Sequence, residues 1–126
     1  MSSPGSNGSA SVSSPHVPYI PVRIEIPDAD TSLLIEALVD TGFNGEVAIP
    51  AASLHVRPSV LGNLDIRMAD GSEVSVPVYL GTIQIGSRRI GPITVLVLGD
   101  EPIIGLGVVT QFRVVIDHDQ TISFSP

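Results

Sequence analysis

Beyond residue 18 the chain alternates between apolar and polar positions. Val22, Ile24 and Ile26 are separated by Arg23 and Glu25, and Leu64, Ile66 and Met68 by Asp65 and Arg67. A period of two puts successive side chains on opposite faces of an extended backbone, so each run predicts a half-buried β-strand. Val74, Val76 and Val78 repeat the alternation, and Ile83 and Ile85 extend it. Leu33 to Val39 is an apolar run interrupted only by Glu36, and Ile93 to Leu98 is nearly continuous, as suits a central strand covered on both faces. Phe112 to Asp117 is strand-like, and Ile122 and Phe124 alternate with Ser. Only Pro50–Leu54 and Leu106–Gln111 read as short helices. The pattern predicts an all-β domain over 19–126 with one or two short helices.

Residues 1–18 are Ser, Gly and Pro with almost no large apolar side chain. Such a segment cannot bury enough surface to offset chain entropy and is expected to be a disordered tail, with a docking segment for a partner as the alternative. The whole chain has 126 residues and 43% hydrophobic content, which allows one lobe with a real core. Thirteen acidic residues against six arginines, and a net charge of −7, give no electrostatic footprint for nucleic acid or an anionic membrane. Peptide or protein substrates fit better. With no Cys, neither disulfides nor thiolate metal sites hold the fold. The apolar stretch from Ile90 to Val109 is broken by Asp100-Glu101 and by Gly and Pro, so it is not a membrane span. No basic, apolar leader opens the sequence, and a cytoplasmic location is the expectation.

Chemistry concentrates at Asp40-Thr41-Gly42, which ends the run Leu33 to Val39. A carboxylate delivered into a turn by a buried strand needs hydrogen-bond donors, a partner acid or a metal. Some sixty residues on, Pro102-Ile103-Ile104-Gly105-Leu106-Gly107 places two large apolar residues before a glycine. Between these segments, Ala69-Asp70-Gly71-Ser72 separates two alternating runs, and Asp-Gly there signals a hairpin turn requiring positive φ. Pro77 in the second arm argues for an exposed or edge position, because proline cannot donate to a ladder.

Other motifs carry less. Gly105-Leu106-Gly107 lacks the third glycine of a dinucleotide-binding turn, that position being Thr110, and too little chain follows for the rest of such a fold. Asp117, His118 and Asp119 are adjacent residues that do not converge easily on one ion, and a solvated turn is the simpler reading. His16 falls in the tail and His55 near the end of a short helix, both with surface roles by default. No metal and no cofactor are expected.

Ala37-Leu38-Val39-Asp40-Thr41-Gly42-Phe43-Asn44-Gly45, with Ile103-Ile104-Gly105, resembles the retropepsin-like aspartic protease family, especially its small single-lobed prokaryotic members, over residues 20–125. The resemblance implies a single-lobed closed β-barrel of the acid protease fold with a flap hairpin. Asp40 would be the catalytic acid, and Thr41 would brace the paired active-site loops across subunits. Gly42 would let backbone approach the carboxylates. Ile103, Ile104 and Gly105 would back the loop without themselves being catalytic, and Ala69, Asp70 and Gly71 would form the tip of the flap. An ordinary surface hairpin is the alternative for that last segment.

Aspartic proteolysis requires one carboxylate to take a proton from water while a second, protonated, hydrogen-bonds the scissile carbonyl. The chain offers one such Asp, so the resemblance implies a homodimer with Asp40 of each copy on the two-fold axis. Two ionised carboxylates about 3 Å apart repel by roughly 5 kcal/mol at an effective dielectric near 20, so such a pair keeps one shared proton. Phe43 departs from the family pattern, in which a hydroxyl or small residue commonly follows the motif. Asp70 departs too, since retroviral flap tips are mainly glycine and apolar. The implied activity is an aspartic endopeptidase. The alternative is a catalytically silent dimer of the same fold that binds peptides or serves as an assembly module.

Overall fold

Alternation along the chain becomes alternation in burial. In the computed structural model, which describes residues 11–54 and 62–126, strand β2 (Tyr19–Ile26) buries Ile20, Val22, Ile24 and Ile26 while Arg23 faces solvent. It pairs antiparallel with β3 (Thr31–Val39), from Tyr19 opposite Leu38 to Ile26 opposite Thr31. A 3-10 turn at Pro27–Ala29 joins the two, with Thr31 Oγ1 donating to the Ala29 carbonyl.

The remaining strands close a ring. They are β4 (Val47–Ile49), β5 (Gly62–Arg67), β6 (Glu73–Ile85), β7 (Arg88–Val97) and the two-residue β8 (Ile103–Ile104). The sheet order is β2-β3-β8-β4-β7-β6-β5, and β6 also pairs with β2 through Ile83 opposite Ile24. The result is a closed six-stranded barrel, with β5 outside the ring as the free arm of a hairpin. Strand β8 runs parallel to β3 and antiparallel to β4, threading the chain through the barrel wall beside the end of β3. Fully buried Ile24, Ile49, Ile83, Ile93, Val95 and Ile104 fill the interior. As the apolar run predicts, β7 is a central strand between β4 and β6.

A single turn of helix, α1 (Leu106–Val109), precedes a second sheet of three strands. Its order is β1 (Val12–Ser14), β10 (Thr121–Ser125), β9 (Arg113–Asp117). Ile122 and Phe124 of β10 project into the barrel core, and the Phe124 ring packs on Phe112 at 5.3 Å between centroids.

Three expectations are corrected. The disordered tail over 1–18 does not extend to its C-terminal end: Val12–Ser14 forms a strand against Ile122–Phe124, Val12 packs on the core and Ser14 is buried. Two serines and one valine suffice there because β10 supplies the backbone partners. Residues 1–10 lie outside the described residues, as does His55. The segment Pro50–Leu54 is a 3-10 turn at Ala51–Ser53, too short for an α-helix. The face carrying Leu64 and Ile66 of β5, and Met68 just beyond it, is less buried than its alternation suggests, with Leu64 49% and Met68 38% exposed. Pro77 stands where only β5 flanks β6, because pairing with β7 begins at Val78. A residue without an N–H is tolerated in that place.

Candidate active site

Strand β3 ends at Val39, and the next residue is suspended from the strand beside it. The Asp40 N–H donates to the Ile104 carbonyl (2.9 Å), continuing the β3–β8 ladder by one residue. The chain then turns. Gly42 N–H donates to Asp40 Oδ1 (2.9 Å), and Phe43 N–H to the Asp40 carbonyl (3.2 Å). The motif therefore folds into an Asx-type turn in which the carboxylate caps its own loop. Asp40 is half-buried, so it is neither sealed in the core nor fully solvated.

A second line of contacts supports this loop from behind. Gly105 N–H donates to the Glu46 carbonyl (2.9 Å), Leu106 N–H to the Phe43 carbonyl (2.9 Å) and Gly107 N–H to the Gly45 carbonyl (3.1 Å). Gly105 is buried, and a Cβ there would collide with the carbonyl oxygens of Phe43 and Gly45 and with the Phe43 ring, 2.6 Å away. Only glycine permits this approach. Ile104 is buried and Ile103 half-buried, and both serve as barrel wall.

Phe43 lies within a small apolar cluster formed by Ala48, Val76, Val78 and Leu96. The ring anchors the loop by packing, and the Gly42 N–H provides a hydrogen bond to the carboxylate. Thr41 is exposed at the outer face of the turn.

The β5–β6 hairpin reaches over this region. Leu64–Arg67 of β5 faces Gly42–Gly45 across an open groove of about 360 Å³, floored in part by Leu96. At the far end, Met68 N–H donates to the Ser72 carbonyl (2.7 Å) and Gly71 takes φ +89°, the left-handed conformation expected of Asp-Gly. Asp70 Oδ1 accepts from Ser72 N–H (2.9 Å) and Ser72 Oγ (2.6 Å). Those bonds, the hydroxyl's first, hold the Asp70 carboxyl below the usual carboxylate range. Ala69, Asp70 and Gly71 are all exposed at the tip and do not line the groove.

Sequence reasoning passes over Glu46. Its Oε1 accepts from both the N–H (2.7 Å) and the hydroxyl (3.0 Å) of Thr94 on β7, clasping the loop to the barrel wall. The only local signal is an acid placed directly before the buried run Val47-Ala48-Ile49. Asp117, His118 and Asp119 form the β9–β10 turn, with His118 and Asp119 at positive φ and Gln120 N–H donating to the Asp117 carbonyl. No group of three or more potential metal ligands converges among the described residues.

The barrel is similar to the crystal structure of a retropepsin-like aspartic protease from Rickettsia conorii. The TM-score is 0.55 at 14% identity, over 91% of this chain and 88% of that one. No known family profile matches the sequence, and no curated protein matches it. The likeness identifies the fold as retropepsin-like.

Proposed function

We propose that this chain is an aspartic endopeptidase that acts as a homodimer. The observation that carries the reading is the Asp40 turn itself. A half-buried carboxylate is held by the Gly42 N–H at the end of a barrel strand, in a fold similar to an aspartic protease and beside a groove under a hairpin. One copy provides one such carboxylate, and the second comes from the partner's equivalent loop.

In this reading the paired carboxylates share one proton. The ionised member takes a proton from a water as the water's oxygen attacks the scissile carbonyl. The protonated member hydrogen-bonds the carbonyl oxygen as charge develops there, and the departing amine then takes a proton from the pair. Phe43, Gly105 and Glu46 keep the loop rigid, so the carboxylates need no reorganisation during reaction. An extended peptide occupies the groove between β5 and Gly42–Gly45, with apolar side chains directed at Phe43, Leu64, Ile66 and Leu96.

The test is mass-spectrometric cleavage of a diverse peptide library between pH 4 and 7, at several protein concentrations, with wild type and Asp40→Asn. The expected result is cleavage that vanishes in the variant and a specific activity that rises with concentration. Absence of cleavage by a folded dimer would turn the assignment to a peptide-binding module. Cleavage indifferent to the substitution would remove Asp40 from the chemistry.

A further inference from the structure

The groove beside the Asp40 loop is bordered on one side by four consecutive residues of β5, Leu64 to Arg67. Side chains alternate across a strand, so Leu64 and Ile66 belong to one face and Asp65 and Arg67 to the other. A groove bordered by both faces runs along the edge of the strand. That edge is open, since β5 ends its sheet and pairs with β6 alone among the described residues.

The two charged residues differ in what they already hold. Arg67 stands opposite Glu73 in the hairpin ladder, with its guanidinium 3.5 Å from that carboxylate. Asp65 stands opposite Ser75 and is exposed, and its carboxylate has no hydrogen bond or ion pair among the described residues. Of the two charges lining the groove, the cation is therefore partnered and the anion is not. The chain as a whole has the same sign, with a net charge of −7, and draws cations toward it.

We infer that the groove selects extended peptides in which a lysine or arginine stands between two apolar residues, and that Asp65 is the specificity-determining residue that reads the basic side chain. A peptide laid along β5 alternates as the strand does. When its apolar side chains face Leu64, Ile66 and the floor at Leu96, the residue between them falls on the face of Asp65. A basic residue there meets an unpaired carboxylate. An acidic residue meets the same carboxylate as a like charge and finds Arg67 held by Glu73. The inference rests on the proposed function for what occupies the groove, and adds to it a chemical class of substrate.

The test uses short dye-labelled peptides identical except for Lys, Gln or Glu between two leucines. Binding to Asp40→Asn is read by fluorescence anisotropy, and kcat/KM with an active Asp40 by mass spectrometry. The Lys peptide is expected to be favoured over the Glu peptide by about tenfold in both, the sum of one attraction gained and one repulsion avoided at a solvated site. Asp65→Asn is expected to reduce that ratio to about threefold or less, Asp65→Lys to invert it, and about 0.5 M salt to shrink it. Glu73→Gln releases Arg67 and is expected to narrow the ratio by improving the Glu peptide. Equal handling of the three peptides, or a preference left intact by both Asp65 substitutions, would overturn the inference, while cleavage abolished by Asp40→Asn would still uphold the proposed function. An Asp65-dependent preference in binding with no cleavage would support the inference and overturn only the endopeptidase assignment. Failure of every peptide to bind or be cleaved would overturn both.

Discussion

The Glu46 carboxylate accepts two hydrogen bonds from one residue, the N–H and the hydroxyl of Thr94, at 2.7 and 3.0 Å. The effect is to fasten the loop that begins at Asp40 to a strand on the opposite side of β4. Hydrogen bonds to a charged group contribute about 1.5–3 kcal/mol, and the lower end applies here because Thr94 is exposed and its freed N–H can turn to water. Glu46→Ala is therefore expected to cost about 1–1.5 kcal/mol in urea unfolding and to lower kcat more than it raises KM, because a looser loop presents a misaligned carboxylate. Thr94→Val keeps the N–H donor and should cost less. Equal losses from the two substitutions would show that the backbone bond contributes little.

Gly105 is the tightest point behind the Asp40 loop. A methyl group there meets two backbone carbonyls, which cannot swing away as a flexible side chain would. Gly105→Ala is expected to destabilise by about 2–3 kcal/mol, and the shifted Phe43–Gly45 segment should depress activity at temperatures where the protein remains folded. Thermal unfolding and peptidase assays on the same preparation check both parts. Unchanged stability would mean that the loop relaxes around the methyl group.

The sequence displays its local relationships and conceals its distant ones. Val22, Ile24 and Ile26 announce β2 because one face of that strand is wholly buried, and Asp40-Thr41-Gly42 stands out because an acid ends an apolar run. The Asp70-Gly71 turn is equally legible, since its chemistry is contained within five residues. Glu46 and Thr94 are 48 positions apart and meet only because β4 lies parallel to β7, a pairing that no periodicity specifies. Likewise Leu64, Ile66 and Met68 alternate as a core strand does, yet they belong to an arm outside the barrel, where only part of the apolar face is covered.

The strand Val12–Ser14 is the clearest case of composition misleading. Its Ser-rich surroundings read as tail, but the segment covers one edge of β10 and lays Val12 against the core. A chain beginning at Pro15 is expected to be about 1–2 kcal/mol less stable than one beginning at Ser11, from lost apolar burial and the opened edge. Hydrogen exchange should locate the change in Ile122–Phe124. Equal stability of the two truncations would restore the segment to the tail.

At the hairpin tip the Ser72 hydroxyl, followed by its N–H, stabilises ionised Asp70 and holds its carboxyl below the ordinary value. A depressed folded-state value means that the contribution to tip order is fully present above the ordinary carboxylate value of about 3.9. It is lost as pH falls through the lower, folded one. Because the tip is exposed, the effect is local and screened by solvent, and it should leave global unfolding almost unchanged. Titration of the Asp70 carboxyl carbon by NMR is expected to fall below that of an unstructured peptide, and Ser72→Ala to move it back up. Exchange of the Ser72 amide in wild type should accelerate relative to the Met68 amide as the pH drops through the transition. Identical titrations in the two proteins would assign the tip's order to the Gly71 turn and not to the carboxylate. In that case Asp70→Asn should leave the hairpin unaltered at every pH.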